Sequence, residues 1–252
     1  MEGGSHQQSS EERIASLQKQ LDELNREKQQ IISLVSHDIK APLNRVFALV
    51  QLFQMEGDNL TEDQKDYLTK MHLVVADGLN MIRNLVDYRN LEYRRIEIIP
   101  EELDLVQVVR LIVQNFSALA AIKKIKLIFK SPESLPIKTD NHCVVRSIEN
   151  LIANGLKFSQ EGKSVVIQLS GNEHDVKISV QDEAGGFTKD DLEKMYGKFQ
   201  KLSALPTAGE STTGLGLLIV KLMLGKIKGE IQCLTTPGVG SAFIITLPKT
   251  IS

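Results

Sequence analysis

Apolar residues return every three or four positions over most of the first third of the chain. That spacing fits two long amphipathic helices and little else. Ile14, Leu17, Leu21, Leu24, Ile31 and Val35 follow a heptad, with Lys28 at one seam position, and predict a short parallel coiled coil that the lysine weakens. The stripe continues through Ile39, Leu43, Val46, Leu49, Val50 and Phe53, so a single helix is expected to run to about Met55. Gly57-Asp58-Asn59 breaks it, and Thr61-Glu62-Asp63-Gln64 is a capping-box signature for a second helix. That helix carries Leu68, Met71, Val75, Leu79, Ile82 and Leu85 on one face. A hairpin of this kind exposes more apolar surface than a monomer covers, and two copies bury it as a dimeric four-helix bundle.

After Arg95 the pattern changes. Ile96–Ile99 reads as a strand stopped by Pro100, Leu105–Ile122 as a helix, Lys126–Lys130 as a strand, and Asn141–Lys157 as a helix capped by Asp140. Val165–Leu169 and Val176–Val180 flank Gly171-Asn172 as a hairpin. Residues 187–213 form a long polar connection without a clear period, the mark of a functional lid or of partial disorder. A helix at Leu215–Leu224 and a hairpin, Ile231–Leu234 and Ala242–Leu247, around Pro237-Gly238-Val239-Gly240 close the chain. Strands with three helices predict an α+β two-layer sandwich. Residues 1–27 are thus a tail and coiled-coil linker, 28–95 the helical hairpin domain, and 96–252 the sandwich domain, with the boundary near residue 96. Residues 1–6 read as flexible, so His6 is left out of the chemistry.

Composition narrows the function classes. With 42% apolar and 25% charged residues, the 252-residue chain is that of a globular protein. A formal charge of −2 gives no electrostatic reason to expect nucleic acid or an acidic membrane as partner. The sequence shows neither a bilayer-spanning apolar run nor a signal peptide, and a cytoplasmic location is expected. Cys143 and Cys233 lie far apart in apolar segments and read as buried free thiols in a reducing compartment.

Two constellations carry chemistry. In Ser36-His37-Asp38-Ile39-Lys40-Ala41-Pro42-Leu43 an imidazole lies next to a carboxylate, which holds one ring nitrogen protonated while the other stays nucleophilic. On the heptad frame His37 falls off the apolar seam and faces solvent, and Pro42 removes a helical bond beside it. Much later, Asn150 and Asn154 lie on one face of a helix that ends in Lys157-Phe158. Asp182-Glu183-Ala184-Gly185-Gly186-Phe187 and Thr213-Gly214-Leu215-Gly216-Leu217 follow, the second a glycine-rich helix start whose amides suit phosphate. His72, His142 and His174 have no comparable setting.

Taken in order, these four segments resemble the catalytic core of two-component sensor histidine kinases. In that family a dimerising phosphoacceptor hairpin precedes an ATP-binding domain of the gyrase and heat-shock chaperone type. The resemblance spans roughly residues 28–248. It implies that His37 is the phosphoacceptor and Asp38 its acid partner, and that Asn154 ligates Mg²⁺ with Asn150 beside it. It also implies that Lys157 approaches the phosphates, that Phe158 adjoins the nucleotide, and that Asp182 accepts from the adenine amino group. Gly186 would permit close approach of the nucleotide, and Thr213, Gly214, Leu215, Gly216 and Leu217 would hold the phosphates. Phe199 and Lys201, with Tyr196, match the aromatic-basic part of the lid. The implied partners are a second copy and a response-regulator receiver domain. The sequence departs from the family pattern at Ala184 and Thr212, where glycine is usual, and at Ala41, where Thr or Asn orients water for partner dephosphorylation. Ala41 therefore predicts weak phosphatase activity. Ala184 and Thr212 leave a pseudokinase scaffold as the alternative, and Glu149, just before Asn150, an ATPase that uses water as acceptor.

Overall fold

In the computed structural model, which describes residues 3–55, 57–93 and 97–251, the chain opens with α1 (Gly3–Met55). At 1.5 Å per residue it is about 80 Å long. The helix begins at Gly3, inside the stretch expected to be flexible. Pro42 lies within it without ending it, but offers no N–H to the carbonyl of Asp38, so the ladder is one bond short beside His37. A 3-10 turn at Gly57–Asn59 reverses the chain. The capping box then opens α2 (Glu62–Tyr93): Thr61 N–H donates to Gln64 Oε1 at 2.9 Å and Gln64 N–H to Thr61 Oγ1 at 3.3 Å. The two helices pack together and bury Val50 and Val75, while Ile39, Val46, Leu49, Phe53 and Met71 stay between 43% and 56% exposed. Ile14, Leu17, Leu21 and Leu24, on the heptad seam, are also bare.

Most of the rest of the chain builds a five-stranded sheet with helices on its apolar face. Strands β2 (Lys126–Lys130), β4 (Ser164–Gly171), β5 (Asp175–Asp182), β6 (Glu230–Thr236) and β7 (Gly240–Pro248) run in the order β2-β4-β5-β7-β6, with only the β2–β4 pair parallel. The period of two puts Ile167, Val180 and Phe243 in one cross-strand row and Leu169, Ile178 and Ile245 in the next, all buried. Above them lie α3 (Leu105–Ile122), α4 (Asn141–Phe158) and α6 (Gly216–Lys226), which contribute Ile148, Leu151, Ile152, Leu156, Ile219 and Met223 to the same core. Two N-cap carboxylates also staple distant backbone. Asp104 Oδ1 accepts from Val106 and Leu135, and Asp140 accepts from Cys143 and Ile99. Each such cap contributes about 1 kcal/mol.

The structure differs from the sequence reading in several places. Of the strand expected at residues 96–99, residue 96 lies outside the described residues and 97–99 are not strand; the strand is instead β1 (Glu101–Asp104), which starts after Pro100 and pairs antiparallel with β3 (Pro136–Thr139). Neither strand alternates clearly in hydrophobicity, and β3 opens on a proline, which only a first or edge position tolerates. A fourth helix, α5 (Lys189–Lys194), lies inside the long connection. Helix α3 meets the length and apolarity needed to cross a bilayer, contrary to expectation. In this fold it buries Leu105, Val106, Val109 and Ile112 and packs on α4 and β2, as a core helix does. Both cysteines are free, and burial pushes the Cys143 thiol up to about 12 and the Cys233 thiol up to about 11, so neither is a ready nucleophile.

Candidate active site

One cavity gathers most of the residues singled out in the sandwich domain. Asn154, Lys157 and Phe158 reach it from the last turns of α4, and Asp182 from the end of β5. Gly186, Lys201, Thr213 and Gly214 come from the connection, and Gly216 and Leu217 from the start of α6. Asp182 Oδ1 accepts from the Ala184 N–H at 2.9 Å and the Ser241 N–H at 3.3 Å. Burial raises its carboxyl above the usual range, and these two amides only partly offset that. With both amides on Oδ1, Oδ2 remains as an acceptor for a ligand.

Two glycines are fixed by geometry. Gly186 has φ +69°, and a Cβ there would lie 2.5 Å from the Thr236 carbonyl oxygen. The close approach that demands glycine is therefore to β6 rather than to a ligand. Gly214 has φ +65°, and a Cβ would meet the Gln200 backbone at 2.5 Å. Gly216 has ordinary φ, and its missing side chain faces Asn150 Oδ1 at 3.5 Å and Asn154 at 3.7 Å.

Four of the residues expected in the sandwich domain stand outside this cavity. Asn150 is buried behind it, its Nδ2 donating to the Arg146 carbonyl at 2.9 Å, so only Asn154 of the pair lines the wall. Leu215 is a core side chain. Phe199, at φ +55°, turns its ring edge-on to Tyr88 of α2, with centroids 6.0 Å apart. Tyr196 is half-buried, with the Lys221 ammonium 4.8 Å over its ring, and burial pushes its hydroxyl up to about 12. Glu149, the alternative water-activating base, is held by Arg146 at 2.6 Å and does not line the cavity.

The connection is anchored along its length. Asp191 closes a capping box with Thr188 at the start of α5 and accepts from Ser203 N–H at 2.8 Å. Burial alone would raise this carboxyl; the Ser203 and Thr188 donors outweigh it and hold it well below the usual range. Further along, Glu210 pairs with Lys123 at 2.6 Å and Thr207 N–H donates to the Lys157 carbonyl at 3.1 Å.

His37 is on α1, its side chain 86% exposed, with Nδ1 3.3 Å from Asp38 Oδ1. Leu43 faces Gly78, and the Phe47 ring lies 4.8 Å from that of His72, tilted by 49°, so the antiparallel register carries His37 to about the level of Asn84. Asn84 lines the cavity, as do Asp77, Asn80 and Met81, so α2 forms its remaining wall. The lobe and the hairpin meet through a buried pair: Arg146 Nε and Nη2 donate to Asp87 Oδ2 at 2.8 and 2.6 Å, and Nη2 to Asn84 Oδ1 at 3.2 Å. None of these α2 residues was singled out from the sequence. The signal was there, because Asp77, Asn80, Asn84 and Asp87 recur at helical spacing as a polar stripe distinct from the apolar one.

The helical hairpin and the helix-covered mixed sheet, with a cavity between them, each match a known family. Residues 139–251 match the family described as Histidine kinase-, DNA gyrase B-, and HSP90-like ATPase, and residues 27–94 match the His Kinase A (phospho-acceptor) domain. The chain belongs to the two-component histidine kinases, as the core that joins these two domains. It is 27% identical over 234 residues to the sensor protein EvgS of Escherichia coli K12, covering 89% of this chain and 19% of that one. It is 29% identical to the sensor histidine kinase GacS of Pseudomonas protegens, covering 90% and 26%. The chain thus spans well under half the length of these relatives. Among solved structures, full-length ShkA in complex with AMPPNP aligns with a TM-score of 0.63 at 24% identity, covering 88% of this chain and 46% of that one. The Acinetobacter baumannii histidine kinase AdeS aligns with a TM-score of 0.57 at 19% identity, covering 84% and 98%.

Proposed function

We propose that this chain is an ATP-dependent protein-histidine kinase that phosphorylates His37 and passes the phosphoryl group to an aspartate of a response-regulator receiver domain. The observation that carries this reading is a single cavity that combines Asn154, Lys157, Asp182 and Gly214 and is walled by the hairpin bearing His37. Asp182 Oδ2 accepts from the adenine amino group. Lys157 and the amides around Gly214 face the phosphates. A proton on His37 Nδ1, donated to Asp38, leaves the Nε2 lone pair for the γ-phosphorus. The N–P bond forms as the bond to the β-phosphate oxygen breaks, and ADP leaves. Among the described residues no three His, Cys, Asp or Glu cluster into a metal site. The amide oxygen of Asn154 fits Mg²⁺ as a hard donor that needs phosphate oxygens to complete the shell. Bound there, with Asn150 supporting Asn154 from behind, Mg²⁺ would supply charge neutralisation.

The bare apolar stripe on α1 and α2 supports a homodimer through the hairpin, and the family supports a cytoplasmic site of action, with the two domains divided near residue 96. The exposed α1 flank around His37 suits a receiver domain. The test is incubation with γ-labelled Mg-ATP. A label on the chain that survives base and is lost in acid is expected, and no label would overturn the reading.

Two variants probe the parts. Asp182→Asn keeps an acceptor for both amides but loses the charged one offered to adenine, and is expected to weaken ATP binding by about 10- to 100-fold. Because burial raises the Asp182 carboxyl, its ionised form costs stability once the pH has risen through that raised value, and the cost is absent in acid. The variant should therefore melt higher than wild type near pH 7, with the gain shrinking as the pH falls; an unchanged melting temperature at pH 7 would contradict this. Ala41→Thr places a hydroxyl one turn after His37 and is expected to speed loss of phosphate from the phosphorylated partner on the order of 10²-fold. Equal rates in the two proteins would remove the phosphatase reading.

A further inference from the structure

Asp77 reaches from α2 into the lobe twice. Oδ1 accepts from Lys157 Nζ at 3.0 Å, and Oδ2 from the Ser211 backbone N–H at 2.8 Å. The Asp77 and Lys157 side chains are only 14% and 15% exposed. Lys157 also donates to the Ser211 carbonyl oxygen, which closes a triangle between hairpin, α4 and lid. The carboxylate lies in the cavity wall and holds one ammonium and one backbone amide, the two kinds of donor that an oxygen of a bound phosphate takes. The hairpin's own packing does not account for it, since Asp77 is off the apolar stripe and both its partners belong to the lobe.

We propose that Asp77 is a built-in stand-in for a nucleotide phosphate, so that ATP must displace its carboxylate from Lys157 and the Ser211 amide and thereby loosens the lobe from α2. The inference rests on the nucleotide reading above. It links the two sites reciprocally: whatever affinity ATP loses to this competition, docking of the lobe loses when ATP binds.

The test measures the affinities of the full chain and its Asp77→Asn variant for Mg-ATP and for adenosine by calorimetry, with Asp77→Ala as a second variant and circular dichroism to verify folding. ATP binding is expected to tighten roughly tenfold in both variants, within the usual range of coupling between sites. Adenosine, which has no phosphate to compete, is expected to bind all three proteins equally. Unchanged or weaker ATP binding in the variants would overturn the proposal. An equal gain for adenosine would also overturn it, because release of the lobe would then open the whole cavity. A wild-type chain that binds neither compound would remove the nucleotide reading itself, a failure distinct from equal ATP affinities in wild type and variant.

Discussion

His37→Gln is expected to reduce labelling from γ-labelled ATP to background while leaving ATP affinity and the melting temperature unchanged. The side chain is 86% exposed and, among the described residues, pairs with Asp38, so its replacement costs the fold no more than about 0.5 kcal/mol, the usual scale for surface substitutions. The chemical loss is complete, because a glutamine amide has no nucleophilic lone pair on nitrogen. Asp38→Asn retains the imidazole but not the charge that fixes its tautomer, and is expected to slow labelling by about 10²- to 10⁴-fold. Acid-labile label persisting on His37→Gln would place the phosphoacceptor elsewhere. Loss of ATP binding together with label would instead mean that the side chain supports the fold.

The parts of this molecule that were legible in the sequence are those governed by local periodicity. The stripe from Ile14 to Phe53, the capping box at Thr61 and the core helix α3 are set by residues three or four apart. The central strands alternate cleanly because one face is buried and the other wet. The ribbon β1–β3 is illegible from sequence because its strands are four residues each, one just after Pro100 and the other opening on Pro136, and only their pairing makes them strands. Helix α5 was missed for a similar reason: its six residues are held by a capping box and by Ser203, a tertiary partner twelve positions beyond Asp191.

For the site, the glycine-rich and asparagine segments brought most of the cavity into view. Sequence spacing did not distinguish a residue that faces the cavity from one that supports it. Asn150 and Asn154 share a helix face, but Arg146 draws Asn150 inward and the bare Gly216 lies over both. The contribution of α2 was hidden because its polar stripe on a hairpin helix reads as a solvated face until a second domain packs on it. Replacing one partner of the buried Arg146–Asp87 pair leaves the other charge unpaired, at a typical cost of about 3–5 kcal/mol, so the docked arrangement depends on both residues.

Asn154→Asp is expected to weaken ATP binding more than any other single change within the lobe. The substitution preserves shape and adds a negative charge beside the Gly216 helix start, where the phosphates are proposed to bind. A carboxylate about 4 Å from one phosphate charge, at an effective dielectric constant of about 20, costs about 4 kcal/mol, or three decades of affinity. The cost is expected in full when binding is measured in EDTA. Addition of Mg²⁺ should recover part of it, because a carboxylate is an even better ligand for a hard cation than an amide oxygen. That pattern separates a residue that bears on metal and phosphate from one that merely caps backbone, since a structural asparagine replaced by aspartate would lose affinity equally with and without magnesium. ATP affinity in EDTA equal to that of wild type would show that Asn154 lies away from the phosphates, and the proposed route from nucleotide to His37 would fail at its first contact.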